Sequence, residues 1–221
     1  MPAETLNTIT TVIASHFDRE QDEPFKRSLG PAVDAWRSKL VTNSLEKHPE
    51  QRKFFKQTLW VPMESAASVP CPMPMTLCPV AKSKFAIPKP LRLQGILYDY
   101  VGSYDGRNPF KEAAPGTLEF LQSGKYSGNI TFWENENQYI KIGDNAKLPK
   151  IRVDGVFDKP LDVMLINCQN SGDCDYWEME YPATGDIIQM IIQYILQVDF
   201  NRPKLPDAPE IEVTPTEPKN P

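Results

Sequence analysis

The sequence predicts an α+β fold, with helices at both ends of a small antiparallel or mixed β-region, and three observations predict it. Apolar residues recur at helical spacing near the N-terminus, in Leu6, Ile9, Val12, Ile13 and Phe17. Seven prolines between Pro62 and Pro90 forbid a long helix in the middle, which breaks into short β-type runs. A nearly unbroken apolar segment from Ile187 to Val198 then returns to helix. The 221 residues suit one domain with accessory pieces. With 40% apolar and 24% charged residues the chain has enough material for a core.

Residues 1–57 read as a helical region. The first helix is Thr5–Phe17, and "DREQDEPFKRSLG" reads as a loop marked by Pro24 and Gly30. Pro31 suits the first turn of a second helix, with Val33, Trp36, Leu40 and Leu45 on its apolar side. After His48, "PEQRKFFKQ" opens a third, short helix.

Residues 58–182 read as an inserted β-domain. Its strands are expected in "VAKSKFAI", "ILYDYVGS", "NITFWE", "QYIKIG", "KIRVDGVF" and "LDVMLIN". A hairpin is expected through Glu134–Asn137, and a tight turn at Asp105-Gly106. "GTLEFLQSG" holds at most a helical turn or two before Gly124.

Residues 183–200 read as a helix starting at Thr184 or Gly185. Four-residue spacing stacks Gln189, Gln193 and Gln197 into one narrow stripe and leaves the rest apolar. Such a helix has to be covered, by its own subunit or by a neighbour. Residues 201–221 carry prolines at 203, 206, 209, 215, 218 and 221 and read as an extended arm. Its reach is roughly 60 Å at about 3.1 Å per residue. Ile211 and Val213 alternate with Glu210, Glu212 and Thr214, a pattern able to add to the edge of another sheet. The plain alternative is a disordered tail.

Little in the sequence points to catalysis, and no cofactor or metal is expected. His16 and His48 sit on a helix and at a helix boundary, where surface or capping roles suit them. "QSGKYSG" has Tyr126 after Lys125 and lacks the upstream glycine, so it is no phosphate loop. "GDCDYWEME" gathers Asp173, Asp175, Glu178 and Glu180 without the rest of a calcium loop, and reads as a solvated acidic stretch. Cys71, Cys78, Cys168 and Cys174 match no zinc spacing. Free buried thiols are expected, with Cys71–Cys78 or Cys168–Cys174 pairing left open. The aromatics of the middle region, among them Tyr98, Trp133, Trp177 and Tyr181, suit a core or an interface better than a sugar platform.

A net charge of −5 argues against gripping a nucleic-acid backbone. Ile187–Val198 spans about 18 Å as a helix, too short for a bilayer core of roughly 30 Å. With no secretory signal in view, a soluble chain made in a cytoplasm and not inserted in a membrane is expected.

Five stretches in order, "AKSKFAIPKPLR", "YDYVGSYDGRNPF", "NQYIKI", "KIRVDGVFDKP" and "ATGDIIQMIIQYIL", resemble a series found in virion proteins of crAss-like and related short-tailed bacteriophages. The resemblance covers most of residues 30–200. It implies a non-enzymatic ring or adaptor at the head-to-tail junction, with twelve copies around the DNA channel. The implied partners are further copies, the portal protein and neighbouring tail rings. Candidate interface residues are Ile187, Ile191 and Ile195 on the apolar helix, and Arg202, Leu205, Ile211 and Val213 in the arm. The turn Asp105-Gly106-Arg107 with Phe110 is a further candidate. A carbohydrate- or receptor-binding β-module of a phage tail is the competing reading.

Overall fold

A computed structural model describes residues 4–70, 77–91, 97–118, 121, 130–143, 148–171 and 174–200. The fold is α+β, as expected: helices from both ends of the chain form one layer against a seven-stranded sheet. The candidate arm residues Arg202, Leu205, Ile211 and Val213 lie outside the described residues.

Helix α1 (Leu6–Ser15) starts where the Thr5 side chain accepts from the Thr8 backbone N–H at 3.2 Å. Helix α2 (Glu23–Lys47) starts eight residues earlier than Pro31 suggests, because the Asp22 carboxylate caps it, accepting from Phe25 N–H at 3.0 Å. Pro24 is the proline of its first turn, and Pro31 lies inside the helix. Gly30 is a packing residue rather than a loop mark. A side chain there would meet Leu161 Cδ1 at 3.3 Å and Trp177 at 3.5 Å. His48 ends α2 and a 3-10 turn, Pro49–Phe54, follows.

The sheet runs in the order β3-β7-β1-β2-β6-β5-β4, from β1 (Gln57–Pro70), β2 (Leu77–Ser83), β3 (Tyr100–Ser103), β4 (Lys111–Glu112), β5 (Phe132–Glu136), β6 (Tyr139–Gly143) and β7 (Lys150–Gly155). Its pairs are antiparallel except β4 with β5. Strand β1 joins two halves, pairing with β7 over Gln57–Pro62 and with β2 from Met63 onward. The predicted β5–β6 hairpin forms, with its turn at Asn137-Gln138, both at positive φ (52° and 68°).

One strand expectation fails. "LDVMLIN" lies in helix α3 (Pro160–Ser171), which begins on Pro160. A short apolar run does not separate strand from helix by itself. Pro160 at the first position and Asp162 in the first turn suit a helix start. The helix lies between two cores, with Val163 buried in that of the sheet and Met164 in that of the helices.

Helix α4 (Gly185–Tyr194) runs into a π-helical turn, Ile195–Asp199, and packs on α1 and α2. Ile187, Ile188, Ile191, Ile192 and Ile195 are buried with Leu6, Ile9 and Val33. At about 1.5–3 kcal/mol per fully buried side chain, this inner face alone holds the helix in place.

Candidate assembly interface

Helix α4 has two unlike faces. Ile187, Ile191 and Ile195, the candidate contacts, are turned into the chain's own core. The outer face is wider than the expected glutamine stripe. Met190, Tyr194 and Val198, four residues apart, line up beside Gln189, Gln193 and Gln197 and are exposed. Met190 is 38% and Tyr194 40% accessible. The Tyr194 ring stacks on Trp36 of α2 at 4.7 Å and 10°. Trp36 Nε1 donates to the Asp199 carboxylate at 2.9 Å, tying the π turn to α2. Phe200 lies 4.5 Å from the Phe17 ring and 6.2 Å from Phe25. An apolar and aromatic surface thus crosses α1, α2 and the end of α4.

A second surface lies in the middle of the sequence, on edge strand β3. The segment after the predicted turn folds back on that strand, with Phe110 N–H donating to Val101 C=O at 2.8 Å and Ser103 N–H to Asn108 C=O at 3.0 Å. The edge is thereby covered by the chain itself. Gly102 is required here, since a methyl group would overlap Asn108 and Tyr100. Gly106 takes φ +76°, which the turn demands. The Asp105 carboxylate accepts from Ser103 Oγ at 2.5 Å and from Arg107 N–H at 3.1 Å, and these bonds hold its pKa below the usual carboxylate value. Arg107 is almost fully exposed and Phe110 half-buried. Beside the turn a cleft of about 420 Å³ is lined by Tyr104, Leu148 and Pro149, with Asp105, Asn108 and Lys150 among its polar groups. The Tyr104 ring rests on Trp60 at 4.5 Å.

Between these surfaces lies a buried polar node that the apolar pattern of α2 does not announce. Arg37 is fully buried and donates to three carbonyls, of Phe157 (2.8 Å), Pro182 (2.9 Å) and Phe55 (3.3 Å). Asp34, one turn earlier, accepts from Tyr181 Oη at 2.7 Å and from Leu161 N–H at 3.3 Å. Burial pushes the Asp34 carboxyl up to about 6, against those hydrogen bonds and the field of Arg37. Burial, then the charge of Asp34, push the Tyr181 hydroxyl up as well. The node joins α2 to the end of β7, the start of α3 and the loop before α4. The only signal for it in the sequence is a pair of charged residues, Asp34 and Arg37, within the stripe that carries Val33, Val41 and Leu45.

The family model described as phage tail ring protein 2, of the crAss type, matches residues 16–208. The chain belongs to that family. It is therefore a structural component of a phage tail and part of the virion, and it associates with copies of itself and with other tail components. A comparison with curated proteins finds none that matches this tail ring protein.

The remaining candidate groups in the ring protein have local roles. Asp175 caps a 3-10 turn (Tyr176–Glu178), accepting from Trp177 N–H at 3.0 Å, and Glu178 accepts from Asn7 Nδ2 at 2.6 Å. Asp173 lies outside the described residues. His16 caps α1, and His48 Nδ1 lies 3.4 Å from Glu50. The free thiols expected at Cys168 and Cys174 are replaced by a disulfide, because the end of α3 and the loop after it bring the two Cα atoms to 5.2 Å. Of the other pair, Cys71 lies outside the described residues. Tyr98, Trp133, Trp177 and Tyr181 are interior. No helix among the described residues is long and apolar enough to cross a membrane.

Proposed function

We propose that copies of this chain close into a ring of twelve at the head-to-tail connector, next to the portal, around the channel through which DNA passes. The reading divides the chain into a helical region (1–57), an inserted β-domain (58–182), a covered helix (183–200) and an extended arm (201–221). The subunit acts as a scaffold, not a catalyst. The observation that carries the proposal is the pair of separate, unlike surfaces: the aromatic strip over α4 and the cleft beside the Asp105 turn. A closed ring needs two different complementary patches on every subunit, whereas a two-fold dimer needs one self-complementary patch. The −5 net charge suits a conduit wall that does not trap phosphate.

The test is the mass of the full chain in solution, alone and mixed with the portal protein, by native mass spectrometry. A closed oligomer of twelve copies is the expected result. A monomer under both conditions overturns the ring reading. Deletion of residues 201–221 is expected to leave a folded subunit that no longer joins particles, checked by circular dichroism and by incorporation into virions.

A further inference from the structure

We propose that the cleft beside the Asp105-Gly106 turn receives the C-terminal arm of the neighbouring copy, with Ile211 and Val213 against its apolar lining and Glu210 and Glu212 at its basic rim. The inference rests on the ring reading and adds to it the occupant of one surface.

The cleft supplies the first half of the argument. Its apolar wall is made by Tyr104, Leu148 and Pro149, and Tyr104 is 56% accessible, so a large ring stands beside an open hollow. The sheet edge next to it is already satisfied by the 108–110 return. A ligand there gains mainly by covering side chains. The rim is cationic: Lys150 lines the cleft, Arg107 projects from the turn, and Arg152 passes beneath Gly106. Arg152 is already committed to Asp154 through two bonds of 2.8 and 2.9 Å. Arg107 reaches Asp105 only at 3.8 Å, and no carboxylate pairs with Lys150 among the described residues. Lys150 is thus left for a partner, beside the exposed Arg107–Asp105 pair.

The arm supplies the second half. Between Leu205 and Pro218 it carries Asp207, Glu210, Glu212 and Glu217 and no lysine or arginine. In an extended course Ile211 and Val213 fall on one side and Glu210 and Glu212 on the other. A shallow cleft covers the first side and leaves the second at its rim, within reach of long Lys and Arg side chains. The arm follows Phe200, on the aromatic strip, and the ten residues from there to Glu210 reach roughly 30 Å at about 3.1 Å per residue, a span that can cross to an adjacent subunit. In a closed ring every cleft then meets one arm. Prolines on both sides of the Glu210–Thr214 segment reduce the entropy lost on docking.

Zero-length carbodiimide cross-linking of the assembled full chain, made from equal parts ¹⁵N-labelled and unlabelled copies, tests this directly. Lys150 is expected to join Glu210 or Glu212 in mixed-isotope pairs. Tyr104→Asp, at an exposed position, and Val213→Asp, in the arm, should each reduce those links about tenfold, equivalent to 1.4 kcal/mol. Lys150→Glu should abolish them as a chemical control. Lys150→Glu combined with Glu210→Lys and Glu212→Lys should restore links in the reversed sense. Oligomers whose arms link elsewhere overturn the cleft assignment and leave the ring standing. Links found only within single copies overturn the neighbour as occupant. Absence of any oligomer, by mass, removes the ring reading and this inference together.

Discussion

Two carboxylates, one in the helical layer and one in the sheet, both have little exposed surface, and their pKa values are shifted in opposite directions. Asp34 is 4% and Asp154 2% accessible, so loss of water penalises both charges. For Asp154 the penalty is outweighed by Arg152 (2.8 and 2.9 Å), Thr58 Oγ1 (2.8 Å) and Lys56 Nζ (3.2 Å), and its pKa is lowered. Among the described residues, Asp34 accepts only from a tyrosine hydroxyl and one backbone N–H. Its nearest cation, Arg37, gives its hydrogens to three carbonyls instead. Burial therefore wins at Asp34 and loses at Asp154. The helical layer uses its fully buried cation, Arg37, to tie distant segments together. The sheet spends its cations on a strand neighbour.

The largest effect should come from removing that cation. Arg37→Ala leaves the carbonyls of Phe55, Phe157 and Pro182 without their donors and opens a hole between α2 and the sheet end. A loss of about 3–5 kcal/mol is expected, read as a shift of the urea midpoint. A loss below about 1 kcal/mol would mean the node is not what joins the layers. Arg37→Met, which keeps most of the volume, should lose less than the alanine variant.

The pH profile comes next. A carboxyl whose folded pKa lies above its unfolded value of 3.8 favours folding while protonated. For Asp34 that contribution is full below about 3.8 and is lost as pH rises through about 6. The difference amounts to about 3 kcal/mol at 1.36 kcal/mol per pKa unit. Asp34→Asn should therefore flatten the fall in stability between pH 4 and pH 7. Asp154 has the opposite sign: its contribution is present above 3.8 and is lost as pH falls through its lowered value. Asp154→Asn should cost about 1–3 kcal/mol at neutral pH and progressively less under acid. Denaturant midpoints across pH 3–8 decide both cases, and parallel profiles for the two variants would remove the contrast.

Legibility in the sequence followed the range of the interaction involved. The start of α1, the β5–β6 hairpin and the Asp105-Gly106 turn depend on caps and turns within a few residues, and each is readable. Gly30 and Pro31 read as punctuation because glycine and proline usually are. What Gly30 answers to is the close approach of Leu161 and Trp177, which no local window contains. The α3 run is short and apolar, and such a run does not separate strand from helix by pattern alone. Arg37 and Asp34 carry no local signal, since most of their partners, backbone groups and a tyrosine, lie far along the chain. At the candidate interface the sequence marked α4 as a helix needing cover but could not assign its faces. Ile187, Ile191 and Ile195 face inward, and Ile211 lies outside the described residues.

That assignment of faces gives the smallest expected change in the fold and a large one in assembly. Met190 lies on the outer face of α4, away from the core, one helical turn after Asp186 and one before Tyr194. Met190→Lys puts an ammonium group four residues after an acid, a pairing that supports a helix by a few tenths of a kcal/mol. Folding stability should therefore stay within about 0.5 kcal/mol of the parent. In a ring the same charge would be carried into an apolar contact without a partner, and oligomers should fall apart. Urea midpoint and native mass, taken on one preparation, separate the two effects. Oligomers of unchanged mass and stability would exclude the outer face of α4 from the contact between copies. Loss of both fold and oligomer would show that Met190 belongs to the interior after all.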